Sequence, residues 1–159
     1  MNKGKVEIDA KEVIKMLVNL QPTLRKRAYR NGIRKSLNIT KKETIKNLRA
    51  RVGKYVARRK NARTRKSLEQ GVLTKVYKDV SGGAIHIMRN FKLRFLENGT
   101  DERFVETWRG KPLEKKRPTG RIKALHFFRD AVNSTEKQVF NTLEQNIADA
   151  IRKINNKQL

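Results

Sequence analysis

Apolar and polar positions alternate along this chain with three different periods. Near the start, Val13, Ile14, Leu17 and Val18 recur at helical spacing after Asp9 and Glu12, a pair with the form of a capping box. That helix is expected to end near Leu20, because Pro22 disfavours helical geometry at the residue before it. A second helix opens at Pro22 and carries Leu24, Ala28, Ile33 and Leu37, weakened at Gly32. Thr40 and Glu43 offer another capping box, so a break is expected near Asn38, with resumption through Ile45, Leu48 and Val52. Lys54 to Lys66 is almost purely basic and reads as a fraying helix end and loop.

Beyond Leu68 the period falls to two. Val72–Val80, Ala84–Met88 and Phe91–Phe95 read as a three-stranded antiparallel meander. Ser81-Gly82-Gly83 and Arg89-Asn90 are its turns, and Asn98-Gly99 ends it. Arg103–Arg109 alternates Phe104, Glu106 and Trp108 with Val105 and Thr107, a fourth strand or one side of an arm. Gly110–Gly120, with Pro112, Pro118 and a Lys-Lys-Arg run, reads as a loop. From Ala124 to Asn155 the helical period returns, with Leu125, Phe128, Val132, Val139, Leu143, Ile147, Ile151 and Ile154 on one face. The fold class is α+β in a single domain. It comprises a basic helical region (1–66), a three- to four-stranded meander (67–100), an arm or loop (101–123) and a long amphipathic C-terminal helix (124–155) packed on the sheet.

Charge changes this picture more than composition does. The 159 residues carry a formal net charge of +25. Arg25 to Lys66 holds 18 Lys or Arg against the single acid Glu43, so most of the excess sits in the helical N-terminal half. A field so uneven calls for an anionic partner, either nucleic acid or an acidic protein surface. The residues placed to meet it are Arg25, Arg27, Arg30, Arg34, Arg49, Arg51, Arg58, Arg59, Arg63 and Arg65. Tyr29 and Tyr55 are the aromatics within this stretch, and no helix-turn-helix or zinc pattern accompanies them, so sequence-specific reading is not expected.

The chemistry of catalysis is thinly represented. The chain has no cysteine, which removes disulfides, thiol catalysis and cysteine-ligated zinc. His86 and His126 stand alone, without a metal-ligand spacing. Glu97, Asp101, Glu102 and Glu106 are close in sequence, as the acids of a magnesium-dependent nuclease would be, but Arg94, Arg103 and Arg109 lie among them and favour ion pairing. Gly82-Gly83 lacks the flanking pattern of a phosphate loop. No enzyme, metal or cofactor is expected. Met1–Leu20 reads as amphipathic and not as a signal peptide, and no run approaches the roughly 20 apolar residues that span a membrane.

The stretch Arg94-Phe95-Leu96-Glu97-Asn98-Gly99-Thr100 and the later stretch Leu125-His126-Phe127-Phe128-Arg129-Asp130-Ala131 resemble two motifs of one family. They are similar to the Glu-x-Gly-Thr turn and the Pro-Phe-Leu-Arg-Pro-Ala helix opening of the tail-completion, or minor tail protein Z-like, proteins of long-tailed bacteriophages. His126 and Asp130 stand where the motif has prolines. Thr64-Arg65-Lys66-Ser67-Leu68 is a weaker match to the region before the first strand. The resemblance covers about Thr64 to Asn155.

It implies a structural virion protein of the neck that completes the tail tube and joins it to the head connector, as a ring, by family analogy a hexamer. Its partners would be further copies of itself, tail-tube, tail-terminator and head-connector proteins, and DNA in the channel, with host cytoplasm as the place of assembly. Glu97, Gly99, Thr100, Phe104, Trp108, Phe127 and Phe128 would serve the oligomer interface or arm. The alternative reading is a nucleic-acid-binding protein without sequence specificity.

Overall fold

The computed structural model describes residues 22–61 and 66–155, with the backbone alone at 154 and 155. The helix expected over Asp9–Leu20 lies outside the described residues. The order is α1 (Pro22–Val52), α2 (Lys54–Arg58), a 3-10 turn (Glu69–Gly71), β1 (Leu73–Val76), β2 (Gly83–His86), α3 (Lys92–Asn98), β3 (Arg103–Trp108), β4 (Lys111–Gly120) and α4 (Phe127–Asn155). The class is α+β, as expected.

Helix α1 runs unbroken through Asn38, at about 46 Å for its 31 residues. The expected break does not occur because the Thr40 capping position is occupied otherwise. Its buried positions Ala28, Gly32, Ser36, Thr40, Thr44 and Leu48 recur every four residues. Such a row is one ridge of a helix surface. Being small, it lets α4 come close: a Cβ on Gly32 would stand 3.1 Å from Ile147 Cγ1. The two helices run antiparallel, with Lys35 bonded to Asn146 at one end and Asn47 to the Phe127 carbonyl at the other.

Hydroxyls inside this seam are all paired. Ser36 donates to the Gly32 carbonyl and Thr44 to that of Thr40. Thr135 donates to the Ala131 carbonyl, so in the 2.7 Å contact between Thr40 and Thr135 the Thr40 hydroxyl is the donor. Thr40→Val should therefore cost about 1–2 kcal/mol in urea unfolding by stranding the Thr135 oxygen, and adding Thr135→Val should cost less than a second full increment.

The close seam also sets the rotation of α4. Ala131 and Thr135 face α1, while Val132, expected inside, is 39% exposed. Helix α4 lies mainly along α1 and meets the sheet side at its first turn. There Phe127 joins Leu48, Ala57, Val72 and Leu93 in the core, with Ile85, Ile87, Leu125 and Phe128 packed around them.

The meander is two separate hairpins. Strands β1 and β2 pair from Leu73↔His86 to Val76↔Gly83 and pack on α1. The expected third strand is instead helix α3. Its Lys, Leu, Arg and Glu are good helix formers, none is β-branched, and Leu93 and Glu97, four apart, are both buried. Alternation over five residues cannot outvote that spacing.

The expected loop at Gly110–Gly120 is strand β4, paired with β3 from Arg103↔Gly120 to Trp108↔Lys111. Arg109 and Gly110 both take positive φ (49° and 79°), as a tight hairpin turn requires. Pro112 and Pro118 are tolerated because neither strand has a second neighbour. Helix α4 starts at Phe127, three residues later than expected.

Candidate assembly surface

Between α3 and α4 the chain forms a latch. Glu97 is buried, and its carboxylate accepts the Phe128 N–H (2.8 Å) and the Arg129 N–H (3.0 Å). These amides lie at the opening of α4 and have no partner within the helix, so an acid there satisfies them and complements the helix dipole. The backbone joins in: Leu125 N–H donates to the Leu96 carbonyl and His126 N–H to that of Glu97. Thr100 closes the other side, its N–H donating to the Ile122 carbonyl and its hydroxyl accepting the Ile122 N–H. Between them Gly99 takes φ 75° and ψ −174°.

Glu97, Gly99, Thr100 and Phe127, expected at the oligomer interface or arm, find these partners within the chain, with Glu97 and Phe127 buried. Phe128 is half-buried beside the core. The two departures from the helix-opening motif are built into this geometry. His126 has φ 51°, which proline cannot adopt, and Asp130 N–H donates to the His126 carbonyl, a bond proline cannot make. Asp130 also pairs with Arg51, whose guanidinium holds that carboxyl below its ordinary range.

The latch fixes the root of an arm. Strands β3 and β4 contact chiefly each other, and all of their residues except the half-buried Val105 and Leu113 are exposed. Glu106–Lys116 bridges the strands. Phe104 and Trp108 are 49% and 61% exposed.

At the base of the arm lies a groove of about 670 Å³. Val52, Val56, Leu68, Phe91, Phe95, Leu96 and Ile122 form its apolar lining, while Arg59, Lys60, Lys66, Lys92 and Arg103 are its cations. Among the described residues no carboxylate lines it. Phe91 and Phe95 meet edge to face, 6.2 Å between ring centres, and both stay substantially exposed. A strand over Phe91–Phe95 would put both rings on one face with Leu93; the helical geometry of α3 buries Leu93 and turns the two rings outward. The spacing of Phe91 and Phe95, four apart, was the available signal.

The arginines divide into three groups. Arg27, Arg30 and Arg34 are exposed on α1, the last two beside Lys78 and Tyr77 in a small cleft. Arg58 and Arg59 are exposed on α2 with Lys54 and Tyr55, the last 76% exposed. Gly53, at φ 83°, separates α1 from α2, and Arg58 lines a cleft together with Lys41 and Ile45 of α1. Arg25 is half-buried, and Arg63 and Arg65 lie outside the described residues.

Arg49 and Arg51 are structural. Arg49 grips Glu69 through two 2.7 Å bonds and Arg51 holds Asp130. The Arg49 pairing lowers the Glu69 pKa, so its stabilisation is present above the ordinary carboxylate range and is lost as pH falls through the depressed folded value. Denaturant midpoints measured from pH 7 to pH 3 should fall less for Glu69→Gln, which starts lower at pH 7.

Among the described residues no group of three His, Asp or Glu is placed to hold a metal, and no helix is long and apolar enough to cross a membrane. Compared with known protein families, curated proteins and solved structures, the chain matches none.

Proposed function

We propose that this protein is a ring-forming structural component of the head–tail junction of a long-tailed bacteriophage, completing the tail tube and joining it to the head connector. The observation that carries the reading is the arm. A hairpin with two exposed aromatics, outside the core and rooted by the Thr100–Ile122 hydrogen bonds, suits a subunit that reaches its neighbour. The Glu97, Gly99 and Thr100 latch supports the resemblance from another side, because it gives all three motif residues a physical task. A hexamer follows from the family analogy, with the exposed arginines of α1 and α2 toward channel DNA or acidic connector surfaces.

The test is electron microscopy and native mass measurement of the full-length chain, alone and with tail-tube and head-connector proteins. Closed rings are expected. Trp108→Ala should change stability by no more than about 0.5 kcal/mol yet weaken assembly at least about tenfold, as loss of an aromatic anchor does. A monomer in every mixture would sink the reading.

A second reading, nucleic-acid binding without sequence specificity, draws on Tyr55 standing exposed among Lys54, Arg58 and Arg59. Stacking on such a ring within a basic cluster suits single strands. It predicts binding by the isolated protein that falls steeply with salt, and loss of part of it on Tyr55→Ala.

A further inference from the structure

The solvent face of α4 carries a stripe at four-residue spacing: Val132, Glu136, Phe140 and Glu144, bounded by Asn133, Lys137 and Asn141. All four stripe residues are exposed, Phe140 at 59%. Among the described residues nothing covers it, because α1 occupies the face of Ala131 and Thr135. The stripe is apolar and acidic. The groove at the base of the arm is apolar and cationic, with five basic side chains and no acid among the described residues that line it. The two surfaces share no residue.

We propose that the groove receives the α4 stripe of a second copy of this chain, with Phe140 seated against Phe91 and Phe95 and with Glu136 and Glu144 meeting Arg59, Lys92 and Arg103. The proposal rests on the ring reading above and supplies its missing half, the surface that accepts a neighbour.

Three observations favour this occupant over the alternatives. The stripe spans about 18 Å of straight helix and offers a narrow ridge, the shape a groove takes up. Its charge is opposite to the groove's, whereas the arm, itself rich in Lys and Arg, would be repelled there. The groove is continuous with the arm, because Arg103 and Ile122 both line it and flank the arm's root. A neighbour's helix lying in the groove is therefore within reach of the arm, which makes Phe104 and Trp108 parts of the same contact. Since groove and stripe are different surfaces, the contact is head-to-tail and propagates into a closed ring or a filament.

The decisive experiment is a reciprocal charge exchange in the full-length protein, followed by sedimentation and electron microscopy. Glu136→Lys with Glu144→Lys, and separately Arg59→Glu with Lys92→Glu, should each weaken self-association at least about tenfold. All four positions are exposed, and circular dichroism and thermal unfolding confirm that each variant folds. Mixing the two variants should restore association in part, since the altered groove now matches the altered stripe. Wild-type association should weaken as salt rises. Rings that survive both exchanges, or a mixture that associates no better than either variant alone, overturn the groove assignment and leave the ring reading standing. A wild-type chain that stays monomeric even with tail and connector proteins overturns both.

Discussion

Gly99→Ala is expected to lower the unfolding free energy by about 3–5 kcal/mol. Two costs add. The backbone at φ 75° and ψ −174° belongs to a region that residues with a Cβ rarely enter, worth about 1–3 kcal/mol alone. A Cβ there would also stand 2.9 Å from the Ala124 nitrogen and the Ile122 carbonyl oxygen. Both are backbone atoms of the segment that the latch holds, so neither can swing aside as a side chain would. Relief requires the strands of the arm to part from α3, which breaks the Thr100–Ile122 bonds. Urea unfolding should show the lost stability, and hydrogen exchange should show Ile122 and Leu125 losing protection ahead of the α1–α4 seam. If Gly99→Ala unfolds like wild type, the latch does not have the geometry described.

Glu97→Ala is expected to cost about 2–4 kcal/mol. The carboxylate is buried and makes two bonds to amides at the opening of α4, and its removal leaves both donors in a site that water reaches poorly. Glu97→Gln keeps one carbonyl oxygen and should recover part of the loss, while Glu97→Asp, too short to reach both amides, should recover less. The comparison separates capping from simple packing: if Ala, Gln and Asp are equally destabilised, the side chain's volume matters and its hydrogen bonds do not. Because the latch also sets the root of the arm, Glu97→Ala should reduce assembly more than its global stability predicts, in contrast to Thr40→Val in the distant seam.

Both predictions fall on a motif that was visible in the linear chain, although its task was not. Glu97, Gly99 and Thr100 stood out by type and spacing. Their partners, Ile122 and the amides of Phe128 and Arg129, lie more than twenty residues on, and a side chain's choice of a distant backbone donor leaves no periodic trace. The same holds for Arg49 and Arg51. They look like their exposed neighbours in a basic run, and only the positions of Glu69 and Asp130 in the fold set them apart.

The sequence by itself determined the α+β class, the long C-terminal helix, the hairpin at Gly82-Gly83, the concentration of positive charge and the stretch that becomes the arm. Each depends on local propensity, period or charge, which act over a few residues. Only the tertiary structure decided that α1 continues through Asn38, that Phe91–Phe95 is helix and not strand, that Gly110–Gly120 is a strand, and that Val132 faces out. In each case the local signal was evenly balanced or misleading, and long-range packing supplied the difference. Thr40 is held by a seam with Thr135 ninety-five residues away. Leu93 and Glu97 are drawn to one face by the core and by the amides of α4. Ala131 and Thr135 are buried in place of Phe128 and Val132 because the hydroxyl pair of Thr40 and Thr135 sets the facing side of α4 there, and that choice is what turns Val132 and Phe140 to the solvent.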